Sequence, residues 1–110
     1  MFGGPRIPEI DVAELPDGAF ILDVREDDEW QAGRIDGAVH VPLMTVPGRL
    51  DEIPQDRPVV VVCRVGGRSA QATHYLIQAG HDAVNLGGGM MAWAAAGRPM
   101  IGDGPDPYVL

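Results

Sequence analysis

The residues best suited to chemistry form a seven-residue segment that begins at Cys63 and reads Cys-Arg-Val-Gly-Gly-Arg-Ser. Gly66 and Gly67 allow the backbone to curl so that successive N–H groups point inward. Arg64 and Arg68 add two cations, and the helix predicted to follow adds the positive end of its dipole. These features favour a thiolate over a thiol and lower the pKa of Cys63, which makes it a candidate nucleophile for an anionic substrate.

Two other residues of the segment have supporting parts in this prediction. Val65 lies in the middle of the loop, where its backbone is expected to help bind an anion. Ser69 is the only serine of the chain. Because no His and acid accompany it by motif, we expect a capping or loop hydrogen bond from Ser69 rather than nucleophilic catalysis.

A small α/β sheet is predicted to position this segment. The run of four valines at 59–62 has no polar alternation, which indicates a central strand covered on both faces. Further strands are predicted near residue 10 and over 20–24, 38–41 and 83–86, with helices over 26–32, 69–79 and 90–96 and a weakly helical stretch over 43–53. The alternating order predicts a mostly parallel sheet of about five strands with helices on both faces. Ligands bind at the carboxyl ends of the strands in such sheets, which is where Cys63 lies.

Length and composition exclude several classes of function. The 110 residues suit a single domain over 1–110, with a core at about 10–99 and short flexible ends at 3–5 and 102–107. All eight basic residues are Arg, so Schiff-base chemistry and a Walker-A loop, which need Lys, are excluded. A single Cys excludes an internal disulfide, a Cys-x-x-Cys pair and a multi-thiolate zinc site.

Charge and hydropathy bear on partners and location. The net charge of -8 argues against binding to nucleic acid or to an anionic membrane surface. No apolar run approaches the roughly 20 residues of a membrane span, and the first residues lack the apolar region of a secretory signal. We therefore expect a cytoplasmic protein with a free thiol, and a monomer.

Other polar residues are assigned mainly structural roles. Asp23 and Arg25 lie at the carboxyl end of a predicted strand, where they are expected to support the Cys63 loop electrostatically or to form a structural ion pair. The acidic run at 26–29 suits the first turn of a helix and is interpreted as a solvated face. The three His share no ligand spacing, so no metal site is predicted. The glycine run at 87–89 is interpreted as a point of close chain packing.

Four segments resemble motifs of the rhodanese family of sulfurtransferases. Residues 63–69 are similar to its active-site loop, C-R-x-G-x-R-S, and residues 22–26 to its L-D-V-R-E motif. Residues 29–38 resemble E-[FYW]-x-x-G-H-I-x-G-A, and residues 85–97 resemble a terminal L-x-G-G-[MI]-x-x-W segment. The motifs occur in order and the resemblance spans about 10–99. One position departs from the pattern, because Arg34 stands where the family usually has His.

The resemblance implies a rhodanese-type thiosulfate sulfurtransferase of a single domain. Cys63 would take the outer sulfur of thiosulfate or a similar donor, hold it as a persulfide, and pass it to cyanide, a thiol or a protein acceptor. Arg64 and Arg68 would hold the sulfonate end of the donor, and the loop N–H groups would stabilise the thiolate and persulfide. No cofactor and no metal are implied.

Two alternatives stay open at this point. One is a sulfur-relay or protein-binding module with little turnover of small molecules. The other is a phosphatase or arsenate reductase, but those loops have the spacing Cys-x5-Arg, whereas this chain has Cys-x4-Arg from Cys63 to Arg68. A phosphatase also needs a general acid, and none is evident here.

Overall fold

The structure, a computed structural model, describes residues 6–110, and the N-terminal stretch at 3–5 that was expected to be flexible lies outside them. The strands are β1 (Glu9–Ile10), β2 (Phe20–Asp23), β3 (Val39–His40), β4 (Val59–Val62) and β5 (Ala83–Leu86). The α-helices are α1 (Asp27–Ala32), α2 (Gly67–Gln78) and α3 (Gly89–Ala95), and short 3-10 helices cover Val12–Glu14, Leu43–Gly48 and Leu50–Glu52.

The five strands form one sheet in the order β1-β5-β4-β2-β3, and all four strand pairs are parallel. The run of valines predicted as a central strand is β4, which is buried along its whole length between β5 and β2. The predicted α/β class with about five strands is confirmed. Within residues 6–110, no helix is both long and apolar enough to cross a membrane.

The alternation of side chains along β4 divides the core into two clusters. Val59, Val61 and Cys63 belong to one cluster, together with residues of α2, and Val60 and Val62 belong to the other, together with residues of α3. Successive side chains of a strand point to opposite faces. Cys63 continues this alternation just beyond the strand, so its side chain lies on the α2 face.

Local signals account for several element boundaries. Asp11 and Glu14 form a capping box before the first 3-10 helix, with backbone-to-carboxylate distances of 3.0 and 3.1 Å. The weakly helical stretch at 43–53 consists of two 3-10 helices that are separated at Arg49, and Pro47 and Gly48 lie within the first of them. Helix α2 begins at Gly67, two residues before the predicted start, because Gly66 adopts a left-handed conformation and serves as its N-cap.

The C-terminal residues differ from the flexible end predicted at 102–107. Arg34 and Ile101 exchange two backbone hydrogen bonds of 2.8 and 2.9 Å as an antiparallel bridge. The N–H of Asp103 donates to the carbonyl of Gln31 at 2.9 Å. A segment rich in Gly and Pro forms no helix or strand of its own, but its backbone groups find partners at the end of α1.

Candidate active site

Cys63 directly follows β4 and is 1% exposed. Its Sγ accepts hydrogen bonds from the backbone N–H of Gly66 at 3.1 Å and from the hydroxyl of Ser69 at 3.2 Å. Burial raises the pKa of the Cys63 thiol, but hydrogen bonds from the Ser69 hydroxyl and from the backbone N–H groups of Ser69, Gly66 and Val65 outweigh it and lower the pKa below its ordinary value. The direction of this pKa shift is the one that the sequence predicts.

The curl of the loop depends on Gly66, whose φ of +115° lies in the left-handed region. Its carbonyl accepts a hydrogen bond from Nδ2 of Asn85 at 3.2 Å, while its N–H points at Sγ of Cys63. Asn85 lies on β5, is 2% exposed and also donates to a carboxylate oxygen of Glu9 at 3.3 Å. The sequence analysis did not identify this residue, although a buried polar side chain within an apolar strand requires a partner and is a usable signal.

The N-terminal end of α3 lies against the start of the loop. The N–H of Met90 donates to the carbonyl of Cys63 at 2.8 Å, and that of Met91 donates to the carbonyl of Arg64 at 3.0 Å. A Cβ atom at Gly89 would lie 2.4 Å from the Cys63 carbonyl oxygen, so only glycine fits there. The interpretation of the glycine run as a point of close chain packing is confirmed.

Arg68, a predicted donor-binding residue, forms a bidentate ion pair with Glu29. Its Nη1 and Nη2 donate to the two carboxylate oxygens of Glu29 at 2.7 and 2.8 Å, and the Glu29 side chain is only 12% exposed. The hydrogen bonds from Arg68 lower the pKa of Glu29 to about 2, and those same bonds raise the pKa of Arg68 above its ordinary value. The solvated face predicted for 26–29 is therefore wrong at Glu29, which fixes the arginine at the mouth of the loop.

The other loop residues face outward. Val65 is 58% exposed, and Gly67 and Arg64 are also exposed. Nε of Arg64 donates to the main-chain oxygen of Leu110 at 3.1 Å. The structure thus gathers Gly66, Ser69 and the backbone N–H of Val65 around the sulfur, and places both arginines in hydrogen bonds with residues distant in sequence.

Asp23 and Arg25 form a buried ion pair at the end of β2, and both are 0% exposed. Nε and Nη2 of Arg25 contact both carboxylate oxygens of Asp23 at 2.8–3.1 Å, and Nη2 also donates to the carbonyl of Gly33 at 2.7 Å. This geometry supports the structural reading of the pair, because it ties the end of β2 to the residue that ends α1.

Replacing Ser69 by alanine removes a hydrogen bond to the sulfur and is expected to raise the pKa of Cys63. At pH values below the pKa, the variant has a smaller thiolate fraction than the unmodified protein, so alkylation by iodoacetamide should slow roughly tenfold. This factor corresponds to the free energy of one hydrogen bond to a charged group. At pH values well above the pKa the two rates should converge. The measurement is the alkylation rate as a function of pH, followed by intact-protein mass.

Thr73→Val provides a matched control for this prediction. The Thr73 hydroxyl is also buried but donates to the carbonyl of Ser69 at 2.7 Å rather than to the sulfur. Loss of the Thr73 hydroxyl should leave the pH profile of Cys63 alkylation unchanged. Equal shifts in both variants would show that Ser69 acts through the general structure of α2 and not on the thiolate.

Sequence comparisons match most of this chain to known proteins. Residues 11–96 match the family model described as Rhodanese-like domain. A protein of Allochromatium vinosum named Sulfurtransferase is 45% identical over 83 residues, which cover 74% of this chain and 78% of that relative.

Two solved structures also superpose on this chain. A rhodanese-related protein from Thermoplasma volcanium superposes with a TM-score of 0.81 at 30% identity, covering 86% of this chain and 97% of that one. A rhodanese-like domain protein from Staphylococcus aureus gives a TM-score of 0.76 at 36% identity, covering 79% of this chain and 91% of that one.

Proposed function

The chain belongs to the rhodanese-like domain family, and we propose that it is a sulfurtransferase that carries sulfane sulfur as a persulfide on Cys63. The observation that carries the proposal is the set of donors around Sγ, in which the Gly66 N–H and the Ser69 hydroxyl lie 3.1 and 3.2 Å from the sulfur. These donors stabilise a negative charge, first on the thiolate and then on the terminal sulfur of the persulfide.

In the first half-reaction, the Cys63 thiolate attacks the outer sulfur of thiosulfate. A new S–S bond forms to Sγ, the sulfur–sulfur bond of the donor breaks, and sulfite leaves with the bonding electron pair. The total charge is conserved at three negative charges on each side. No proton needs to move, which fits a loop that contains no His.

In the second half-reaction, a thiophilic acceptor attacks the outer sulfur of the persulfide. Cyanide leaves as thiocyanate, a thiolate leaves as its own persulfide, and in both cases Cys63 returns as the thiolate. The chain has no second Cys to resolve the persulfide, so the acceptor must come from outside. A ping-pong kinetic pattern is therefore expected.

The two loop arginines are proposed to hold the anionic end of the donor. Arg68 is fixed by Glu29, whose low pKa keeps the carboxylate ionised at neutral pH, so this arginine offers a positioned rather than a mobile charge. Arg64 is exposed and uses only Nε in its contact with Leu110. Both arginines are therefore expected to contribute to binding an oxyanion at the mouth of the loop, Arg68 as a fixed charge and Arg64 through its other guanidinium nitrogens.

The surroundings of the loop favour a thiol on a protein as an acceptor. Three exposed apolar side chains lie next to the loop in structure or sequence: Val65 at 58%, Met91 at 42% and Leu110 at 42% exposure. Clusters of exposed apolar residues are typical of protein contacts rather than of sites for a small hydrophilic anion. A sulfur-relay role, in which the persulfide is discharged to a protein cysteine, is the second candidate function.

The proposal is tested by the mass of the intact protein after incubation with thiosulfate. Uptake of one sulfur should add about 32 Da, and cyanide should remove it with release of thiocyanate. No adduct at any thiosulfate concentration would contradict thiosulfate as the donor. An adduct that resists cyanide but transfers to a protein thiol would favour the relay role.

A further inference from the structure

The C-terminal residues 101–110, here named the C-terminal strap, run along the end of α1 and reach the catalytic loop. The strap starts at an antiparallel bridge between Ile101 and Arg34. Nη1 of Arg34 also donates to Oδ1 of Asp103 and to the carbonyl of Trp30, both at 3.0 Å. Arg34 is the residue that stands where the family motif has His, and in this chain it forms hydrogen bonds with the start of the strap.

The strap packs closely on the C-terminal end of α1, at Ala32 and Gly33. The N–H of Tyr108 donates to the carbonyl of Ala32 at 3.1 Å. A Cβ atom on Gly33 would lie 2.3 Å from the main-chain oxygen of Tyr108, and one on Gly102 would lie 2.8 Å from the carbonyl oxygen of Ala32. Val109 packs against the core cluster on the α3 face. The position of the strap is thus set by steric contact as well as by hydrogen bonds.

The end of the strap contacts the loop through Arg64. The main-chain oxygen of Leu110 accepts the hydrogen bond from Nε of Arg64 at 3.1 Å, across 46 positions of sequence. Within residues 6–110, the two terminal nitrogens of this guanidinium make no hydrogen bond. One edge of the guanidinium is held by the strap, and its other nitrogens stay available to an oxyanion.

We propose that the C-terminal strap is a positioning element that sets the Arg64 guanidinium for the anionic end of the sulfur donor. This inference rests on the proposed function for the identity of the anion. An unrestrained arginine on the surface must be ordered when the anion binds, whereas an arginine already held through Nε loses less freedom. The strap lies beyond residues 11–96, the range that matches the family model.

Gly33→Ala is the variant that displaces the strap. Its φ of -176° is extended backbone, so alanine is not strained there, but the new methyl group would meet only main-chain atoms of Tyr108. Gly102→Ala displaces the strap at a second point, away from the carbonyl of Gly33 that Arg25 contacts. Gly104→Ala is the matched control, because a Cβ atom at that position of the strap meets nothing within 4 Å.

The first readout requires no sulfur donor. Cys63 is alkylated with anionic iodoacetate and with neutral iodoacetamide, each displacing iodide, and the ratio of the two rates reports the positive charge at the mouth of the loop. We expect Arg64→Ala to lower this ratio about three- to tenfold, the effect of one nearby charge, and Gly33→Ala and Gly102→Ala to lower it by a smaller factor in the same direction. Gly104→Ala should leave it unchanged.

The double variants separate positioning from a general structural effect. In the Arg64→Ala background, displacement of the strap should change the ratio no further. Single-turnover sulfur loading should show the same pattern, with a thiosulfate Kd raised about three- to tenfold and an unchanged maximal loading rate.

Three results would overturn the inference: no change in the ratio on displacement of the strap, a rise in the ratio, or a fall that persists in the Arg64→Ala background. The outcome of the thiosulfate experiment on the unmodified chain is independent of these results. If the unmodified chain takes up no sulfur, the proposed donor is wrong, and the alkylation ratios still decide whether the strap positions Arg64.

Discussion

Replacement of Cys63 by serine is expected to abolish sulfur uptake, with a loss of at least about 10³-fold in the rate of transfer. A serine hydroxyl is not ionised at neutral pH, and oxygen is a poor nucleophile towards sulfane sulfur. The protein incubated with thiosulfate should show no gain of about 32 Da, and thiocyanate should not form above the uncatalysed rate.

The single cysteine of the chain makes this experiment unambiguous. Any sulfur adduct on Cys63→Ser would have to lie on another type of residue, which would overturn the persulfide assignment. The variant should fold, because the serine oxygen can accept the same hydrogen bonds from Gly66 and Ser69. We expect a melting temperature within about 5 °C of the unmodified protein, equivalent to roughly 1 kcal/mol.

Gly89→Ala is expected to have the largest effect on stability and to disturb the loop as well. Alanine in the left-handed conformation, at φ +55°, costs about 1–2 kcal/mol. The new Cβ atom would also lie 2.4 Å from the carbonyl oxygen of Cys63 and 2.7 Å from that of Arg64, an overpacking that costs roughly 1–3 kcal/mol. We expect a fall in melting temperature of roughly 10–25 °C and a sulfur-loading rate at least tenfold lower.

Gly97→Ala separates the two contributions. Gly97 also has a left-handed conformation, at φ +71°, but a Cβ atom there meets nothing within 4 Å. It should therefore show the conformational cost alone and leave sulfur loading unchanged. If the two variants melt at the same temperature and load sulfur equally well, the contact between α3 and the Cys63 loop is not what Gly89 is needed for.

The site that emerges combines one anionic centre with two differently held cations. The thiolate of Cys63 is stabilised by short-range donors of its own loop, while Arg68 is held by Glu29 of α1 and Arg64 by Leu110 of the strap. Three separate parts of the chain therefore meet around the loop. In the proposed function, this local positive charge is what would let a chain with a net charge of -8 bind an anionic donor.

The sheet and the position of the loop could be predicted from the sequence alone, and Cys63 could be named as the candidate nucleophile. These features depend on short-range signals. The unbroken valines of β4 indicate a buried strand, the glycines after Cys63 allow a curl, and the order of strands and helices leaves only a parallel sheet. The family motifs are also local in sequence, which is why they could be read without a structure.

The partners of the polar residues around the loop could not be predicted, because they depend on long-range packing. Glu29 pairs with Arg68 across 39 positions, Asn85 contacts Gly66 across 19, and Leu110 reaches Arg64 across 46. In the sequence, Glu29 is one of several acids in the first turn of a helix, and the residues near Leu110 belong to a segment rich in Gly and Pro. The packing of α1, β5 and the strap decides which acid, amide or carbonyl contacts the loop. No local sequence pattern encodes that packing. A polar side chain on a surface has many possible partners of similar energy, and packing removes all but one of them.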